Sequence, residues 1–411
     1  MRKKFIGIDC YCCYDANAMM KKILILFVCL LTTTNVLAAK FSTKAKSAYL
    51  IDYDTGMEIY AKNADNLMPP SSMIKLVTLG VLFDEIKNGN IKLEDKITAS
   101  ENVNYKDPLW YSASKMCLIP GQQVSVRDAI LAIIVLSAGD ASVAVAEKIS
   151  GNESQFTEKM TEYARKIGME KSTFGNASGL PDPNNLSTTK ELAILAQHII
   201  HEYPDLYPMF ATRRFEFTDT KTQWCKDWAK THTTNYNKLL FSMSGADGMK
   251  TGHTDEGGFG MVASAKVGGR RLIGVINGLK SGNHEALAEE MKKLLTYGYK
   301  NTHTKTFFKS GDKLLQIPVW YGADKTVTAT TEENVTITLD KEESFDGIRI
   351  VTRYMEPVAA PVKQGQVLGE IIIENRGKEI KRIPLIAKEK VRKVQFFGRV
   401  IKNLSVMFLG K

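Results

Sequence analysis

Two well-separated stretches of the chain alternate hydrophobic and polar residues, and this alternation is typical of β-hairpins. One stretch covers 47–62 and the other 257–279, and in each of them two alternating runs flank a short turn that contains glycine. From about 72 to 205 the apolar residues recur instead at the spacing of α-helices, and another helical run follows at 287–295. Strands at both ends with helices between them predict a mixed α/β domain over residues 40–300.

The pattern changes after about residue 302, where only short alternating runs remain. Turn residues separate these runs, which lie at 313–320, 324–330, 334–340, 347–354, 366–374 and 379–386. Runs of this kind are typical of an all-β domain in which each strand buries one face. The sequence therefore predicts a small, sandwich-like all-β domain over residues 301–390.

The C-terminal segment 391–411 predicts a basic amphipathic helix. Apolar residues recur every three or four positions from Phe397 to Phe408, while Arg399 and Lys402 fall on the opposite face. Such a helix either packs on its own domain or lies in a membrane interface, where anionic lipid attracts its basic side chains. We interpret it as a peripheral anchor on an anionic membrane surface.

The N-terminal segment 1–39 is predicted to be an extension, residues 1–19, followed by a cleavable secretory signal that starts at Met20. Two lysines precede an apolar run, 23–31, which is too short to cross a bilayer because a crossing takes about 20 residues. Small residues then offer a cleavage site near Ala38 or Ala39. The sequence thus predicts export to the periplasm or the outer face of the cytoplasmic membrane.

Charge and cysteine content narrow the choice of partners. The net charge of +10 suits acidic polymers or anionic membranes, and no zinc-finger spacing, RNP motif or long basic arm indicates nucleic acid. Beyond the signal segment only Cys117 and Cys225 remain. They could pair in an oxidising compartment, but we interpret them as two buried thiols. No H-E-x-x-H or phosphate-loop pattern occurs, so the sequence predicts neither a metal nor another cofactor.

The first candidate for chemistry is the segment Ser72-Met73-Ile74-Lys75, which follows two prolines and opens an apolar helical run. A spacing of three places Ser72 and Lys75 on one face of a helix, with Ser72 at the helix start, where free N–H groups favour negative charge. A serine hydroxyl needs a base to become a strong nucleophile, and a buried lysine with a depressed pKa can serve. Alone, this spacing is equally typical of a helix cap with a surface lysine.

A second candidate is Ser137, in the tripeptide Ser137-Ala138-Gly139 between two helical runs. A serine on such a connection is well placed to pass protons between Lys75 and the amine that leaves the substrate. By itself the pattern is more typical of a serine that simply interrupts a helix, so its role depends on the other motifs.

A third candidate is Lys250-Thr251-Gly252-His253, just before a predicted strand. Lys250 is suited to binding a substrate carboxylate and to lowering the pKa of Lys75 through its charge. Thr251 can hydrogen-bond the same carboxylate, and Gly252 would let a substrate backbone approach the strand edge. The alternative is an ordinary strand-edge lysine beside a turn.

The order and spacing of the three motifs resemble those of the active-site-serine penicillin-recognising enzymes. Gly248–Thr254, followed by Gly258–Phe259, resembles in particular the low-molecular-mass D-alanyl-D-alanine carboxypeptidases of the penicillin-binding protein 5 type, and so do Asn185–Thr188 and Lys292–Gly298. The resemblance runs from about residue 47 to 411. It implies an α/β catalytic domain like that of β-lactamases and transpeptidases, then an all-β domain and a C-terminal amphipathic helix.

The resemblance also implies an activity. The protein would be a serine-type D-Ala-D-Ala carboxypeptidase that removes the terminal D-alanine from peptidoglycan stem peptides, binds β-lactam antibiotics and needs no cofactor. Ser72 would be the acylated nucleophile, Lys75 its general base and Ser137 the proton relay.

The remaining matched residues would bind the substrate along one strand edge. Lys250 and Thr251 would hold the terminal carboxylate, with Gly252 beside them. The backbone N–H groups of Ser72 and His253 would form the oxyanion hole.

Two positions depart from the family's pattern. Gly139 stands where the second motif usually ends in Asn, and Tyr236 stands where relatives often have Arg. The resemblance implies that the missing amide would contact the substrate and the catalytic lysine, so we expect Gly139 to limit turnover and Gly139→Asn to raise it. A D,D-endopeptidase that cuts cross-links and a catalytically silent cell-wall-binding scaffold are the alternatives.

Overall fold

The computed structural model describes residues 41–104, 106–111, 113–280 and 282–394. The predicted signal segment 1–39 and the amphipathic segment from residue 395 onwards therefore lie outside the described residues. By its contacts the chain divides into residues 1–42 and 43–411, and the second unit contains all the described helices and strands. Two hydrophobic cores form within it, one in an α/β part and one in an all-β part.

A five-stranded antiparallel sheet forms the centre of the α/β domain. The strands of this domain are β1 (Ser47–Asp52), β2 (Glu58–Lys62), β3 (Lys96–Thr98), β4 (Gln123–Ser125), β5 (Ala246–Thr254), β6 (Gly258–Val267) and β7 (Arg270–Leu279). The central sheet has the order β2-β1-β7-β6-β5, while β3 and β4 pair separately. Both predicted hairpins are confirmed, and β5, which carries the third motif, lies at an edge of the sheet.

Helices pack on this sheet and on one another. They are α1 (Lys75–Lys87), α2 (Pro108–Tyr111), α3 (Val126–Leu131), α4 (Gly139–Ser150), α5 (Glu153–Lys166), α6 (Thr189–Glu202), α7 (Gln223–Thr231), α8 (Leu239–Ser242) and α9 (His284–Asn301). Helices α6 and α9 contact the sheet, and α1 contacts α4, α5 and α6. Because α1 is buried from Lys75 to Phe83, the first motif lies at the buried start of a central helix.

The C-terminal part is an all-β domain, as the sequence predicts. Its strands are β8 (Thr302–Phe308), β9 (Leu315–Trp320), β10 (Thr326–Thr330), β11 (Val335–Asp340), β12 (Ile348–Tyr354), β13 (Val358–Ala359), β14 (Val367–Asn375) and β15 (Lys378–Ala387). One sheet has the order β12-β14-β15-β10-β9-β13, and β11 pairs with β8 in a second sheet. The alternating pattern missed β8, which continues directly from α9, and β13, which has only two residues.

The described start of segment 391–411 packs on the all-β domain. Val391 is buried in that domain's core, Lys393 pairs with Gly322, and the Val394 N–H donates to the carbonyl of Tyr321 at 2.8 Å. Within the described residues, no helix has the length and apolar character needed to span a membrane.

Candidate active site

The first motif lies where a tight turn becomes the central helix. Ser71–Ile74 form one turn of 3-10 helix, and α1 begins at Lys75. Ser71 has a left-handed φ of 50°, and its hydroxyl pairs with that of Thr254 on β5 at 3.1 Å. In this geometry Lys75 Nζ lies 2.8 Å from Ser72 Oγ, which is close enough for direct proton transfer.

Burial gives Lys75 the character of a base. The residue is only 2% exposed, and desolvation lowers its pKa to about 7, against a smaller opposing effect of the negative charge on Asp140. Its side-chain nitrogen also donates to the carbonyl of Ser178, from a loop that no sequence motif marks. With a pKa near neutrality, the amine is able to take a proton from Ser72 at physiological pH.

The second motif forms a bend between two helices. Helix α3 continues into a π-helical turn, Ala132–Leu136, which ends at Ser137 with a φ of 57°, and α4 begins two residues later. A left-handed φ is uncommon for a residue with a side chain. In this conformation Ser137 Oγ accepts a hydrogen bond from Lys250 Nζ at 2.9 Å, so the second and third motifs meet.

Lys250 lies on the edge strand β5 and is only 1% exposed. Its side-chain nitrogen also donates to the carbonyl of Thr251 at 2.8 Å. Burial in the first place, and the positive charge of Lys75 in the second, lower the pKa of Lys250 well below its usual value. A carboxylate bound beside Lys250 would favour the protonated, charged form of its side chain.

Gly252 allows β5 to approach the turn that carries the first motif. A Cβ at this position would lie 2.8 Å from the carbonyl oxygen of Pro70 and 3.1 Å from the backbone nitrogen of Met73. The protein's own turn therefore requires a glycine here, and the approach of a substrate backbone to Gly252 stays a prediction. The next residue, His253, is exposed and packs on Phe259 with 4.0 Å between the ring centroids.

Asp140 is a buried acid that belongs to none of the three motifs. It anchors the loop that contains Met116, Cys117 and Leu118, which we call the rim loop. Its carboxylate is 1% exposed and accepts the N–H groups of Met116, Cys117 and Leu118 at 2.9, 2.9 and 3.0 Å. Burial raises the pKa of this carboxyl, and the backbone donors oppose the shift. The only sign in the sequence was its position directly after the second motif.

Cys117 and Cys225 form a disulfide bond, which corrects their interpretation as two free thiols. They are 108 residues apart in sequence, and they meet because the rim loop packs against α7. Beside the bond, the Lys115 ammonium lies 4.1 Å from the centre of the Trp228 ring. The Trp228 Nε1 atom donates to the Lys115 carbonyl at 3.2 Å, so side chains of α7 hold the loop in place.

An uncharged aromatic pair occupies the position at which the resemblance predicts arginine. Tyr236 stacks on His284 with 4.9 Å between ring centroids. Burial foremost, and the charge of Lys250 next, lower the pKa of His284 to about 4, so its imidazole is neutral at physiological pH. Tyr236 and His284 therefore form an uncharged aromatic wall on this side of the cavity.

A cavity of about 520 Å³ joins the three motifs, and cavities of this order hold small ligands. The predicted residues that line it are Ser72, Lys75, Ser137, Thr251, Gly252 and His253. Lys250 reaches the cavity through its hydrogen bond to Ser137. No sequence motif marks the other lining residues, which include Ala113, Ser114, Gly179, Leu180, Pro181 and His284.

A serine hydroxyl in contact with a buried lysine, opposite a second such pair, is an arrangement that serine hydrolases acting through an acyl-enzyme can use. The chain belongs to the D-alanyl-D-alanine carboxypeptidase family, because residues 33–281 match the family model of that description. Residues 303–393 match the C-terminal domain of penicillin-binding protein 5. The protein is thus a serine-type, penicillin-binding D-alanyl-D-alanine carboxypeptidase.

Curated relatives and solved structures agree with this family. D-alanyl-D-alanine carboxypeptidase DacC of Escherichia coli is 34% identical over 370 residues, which is 89% of this chain and 89% of the relative. DacF of Bacillus subtilis is 29% identical over 360 residues, or 87% and 88% of the two chains. Penicillin-binding protein 5 of Haemophilus influenzae superposes with a TM-score of 0.73 at 31% identity, over 86% of this chain and 99% of that one. The predicted α/β catalytic domain, the all-β domain that follows it and the enzyme class are confirmed.

Proposed function

We propose that Ser72 is the nucleophile of this carboxypeptidase and that Lys75 is its general base. The observation that carries the assignment is the 2.8 Å contact between Lys75 Nζ and Ser72 Oγ in a desolvated site. A lysine with a pKa of about 7 holds a free amine at physiological pH, whereas an exposed lysine would be protonated and unable to act as a base.

In the acylation step, Ser72 is the nucleophile and Ser137 is the proton relay. Ser72 Oγ attacks the carbonyl between the two terminal D-alanines of a peptidoglycan stem while its proton passes to Lys75. The N–H groups of Ser72 and His253 stabilise the oxyanion. Ser137 delivers its proton to the departing amine and regains one from Lys75, D-alanine leaves, and the shortened stem remains as an ester on Ser72. The hydrogen bond from Lys250 to Ser137 supports this relay, because it holds the hydroxyl at the cavity.

Lys250 and Thr251 bind the terminal carboxylate at the edge of β5 in this proposal. Water then attacks the ester while Lys75 takes one of its protons, Lys75 passes that proton to the Ser72 oxygen, and the shortened stem is released. A β-lactam carries a carboxylate beside a strained amide, so it acylates Ser72 by the same route. The related penicillin-binding protein D2 of Listeria monocytogenes, solved in cefotaxime-bound and ampicillin-bound forms at 28% and 27% identity, supports β-lactam entry.

Mass spectrometry of a synthetic pentapeptide stem incubated with the full-length enzyme tests the reaction. Loss of one D-alanine is expected. Cleavage of a cross-linked dimer with the pentapeptide left intact would assign a D,D-endopeptidase, and no change in either substrate would indicate a scaffold. Peptide mapping after penicillin treatment should place the adduct on Ser72, and Ser72→Ala should take no label, whereas an adduct on another residue would refute the nucleophile.

We further propose that the mature enzyme is exported and acts on the outer face of the cytoplasmic membrane as a peripheral protein. The signal-like segment 1–39 and the basic amphipathic segment 391–411 support this location. The Cys117–Cys225 disulfide supports export as well, because disulfides persist mainly outside the reducing cytosol.

A further inference from the structure

The second motif ends in glycine at a place where a side chain has no room. The N–H of Gly139 donates to the carbonyl of Ser114 at 2.8 Å, which fixes its backbone at the start of α4. A Cβ on Gly139 would lie 2.7 Å from Cζ3 of Trp110 and 3.4 Å from the Ser114 carbonyl oxygen. Carbon atoms at 2.7 Å overlap, so the indole occupies the space into which a side chain at position 139 would extend.

Trp110 is itself held firmly in place. Its side chain is 1% exposed, and its Nε1 atom donates to the carbonyl of Asn102 at 2.7 Å. The Asn102 side chain donates in turn to Glu147 of α4 at 2.8 Å. The carbonyl of Trp110 accepts a hydrogen bond from Lys115 at 2.5 Å. The indole is therefore bonded, through its loop, to the same helix that begins at Gly139.

We propose that Trp110 is a positioning residue for Ser137. The indole fills the space left by the absent side chain at Gly139 and supports the bend Ser137-Ala138-Gly139. The left-handed φ of Ser137 is sustained only when the surrounding structure holds it. That bend sets the 2.9 Å contact between Ser137 Oγ and Lys250 Nζ. The inference rests on the proton-relay role proposed for Ser137.

This geometry reverses the expectation for Gly139→Asn. From the sequence, an asparagine at this position should raise peptide turnover. In the structure, the new side chain meets Trp110 and displaces either the indole or the bend. The φ of Gly139 lies outside the left-handed region, so the obstacle is the indole and not the backbone. Gly139→Asn alone is expected to lower turnover, and removal of the indole is expected to restore it.

A double-mutant cycle tests the pairing of Trp110 with Gly139. Full-length wild type, Trp110→Ala, Gly139→Asn and the combined variant are assayed for penicillin acylation and for pentapeptide kcat and KM. Each single change should lower kcat about tenfold or more with little change in KM, because small misplacements of a reacting group are costly. The combined variant should regain most of the loss. Losses that simply multiply in the combined variant would overturn the proposal.

Two controls separate positioning from a loss of stability. Trp110→Phe keeps an aromatic ring in the space and should keep most of kcat. Phe156→Ala removes a buried ring of the same core that does not line the cavity, so it should lower the thermal stability and leave kcat unchanged. Trp110→Leu replaces Trp110→Ala if the alanine variant does not fold.

A second cycle tests whether Trp110 acts through Ser137. Once Ser137→Ala is present, Trp110→Ala should slow acylation no further. If Trp110→Ala still has its full effect in that background, or if folded Trp110→Ala keeps the wild-type kcat, the positioning role is wrong. If Ser137→Ala alone keeps the wild-type kcat, the relay role of Ser137 fails, and the role of Trp110 fails with it.

Discussion

The Nζ atom of Lys250 lies 2.9 Å from the Oγ atom of Ser137, although 113 residues separate them in the sequence. The contact parallels the 2.8 Å contact between Lys75 and Ser72, so two serine–lysine pairs meet at one cavity. Both lysines are at most 2% exposed, and the charge of Lys75 disfavours the protonation of Lys250. This arrangement supports the proposed roles of Lys75 as a free amine beside Ser72 and of Lys250 as the binding position for an anion.

The first prediction concerns the pH dependence of acylation. Lys75 accepts the proton of Ser72 only when it is unprotonated, and its pKa is about 7. The rate of penicillin acylation should therefore rise with pH, reach half its plateau near pH 7, and fall about tenfold per pH unit below that. Stopped-flow measurements from about pH 5 to 9 check this profile. A rate that stays constant through pH 7 would exclude Lys75 as the base.

A change at Asp140 should move the same profile. The negative charge of Asp140 raises the pKa of Lys75, so Asp140→Asn, which preserves the shape, should lower that pKa. The free amine then persists to lower pH, and the half-plateau point of acylation should shift downward. Because the rim loop donates backbone hydrogen bonds to this carboxylate, a thermal unfolding curve is needed to show that the variant is still folded. If the half-plateau pH of a folded Asp140→Asn variant moved upward instead, the charge of Asp140 would not be what raises the pKa of Lys75.

Lys250→Ala should weaken recognition of the substrate carboxylate. For the pentapeptide, kcat/KM should fall about 10- to 100-fold, since hydrogen bonds to charged groups contribute roughly 1.5–3 kcal/mol. A pentapeptide with a C-terminal amide is the matched control. It should be a poor substrate for the wild type and lose little more with Lys250→Ala. Equal losses for the acid and the amide would show that Lys250 does not bind the carboxylate.

The disulfide should stabilise the folded state. Cys117 and Cys225 close a loop of 108 residues, and loss of such a bond costs about 3–5 kcal/mol in free energy of unfolding. Cys117→Ser, Cys225→Ser and the double variant should lose similar amounts, because any one of them breaks the bond. Urea unfolding of the four proteins measures this loss. Identical unfolding of the wild type and the double variant would mean that the bond does not form in solution.

Membrane attachment should depend on residues after Val394. Because Val391 and Lys393 pack on the all-β domain, the informative truncation removes 395–411 and leaves these contacts intact. Each basic side chain near an anionic surface contributes about 1 kcal/mol, so the full-length enzyme should float with anionic liposomes at low salt, and the truncated enzyme should not. Neutral liposomes are the control. Equal flotation of both forms would place the contact elsewhere, and no flotation of either would favour a helix packed on its own domain.

Much of this fold and site is predictable because the signals are local. Alternation with a period of two indicated both hairpins of the α/β domain, and helical spacing indicated α9. Motif spacing alone identifies Ser72, Ser137 and Lys250 as candidates. The sequence pattern did not predict strand β8, because no turn residue separates it from α9. The sequence did not identify roles for Asp140 and Trp110, because neither forms a spacing pattern with Ser72.

The sequence by itself determined which side chains are able to do the chemistry and in which elements they lie. Only the tertiary structure decided that burial lowers the pKa of Lys75 to about 7, that Cys117 pairs with Cys225, and that the indole of Trp110 fills the space beside Gly139. The physical reason is that desolvation and steric exclusion arise between segments far apart in the chain. A pattern of neighbouring residues predicts secondary structure, but it does not predict the distances between segments that are far apart in the chain.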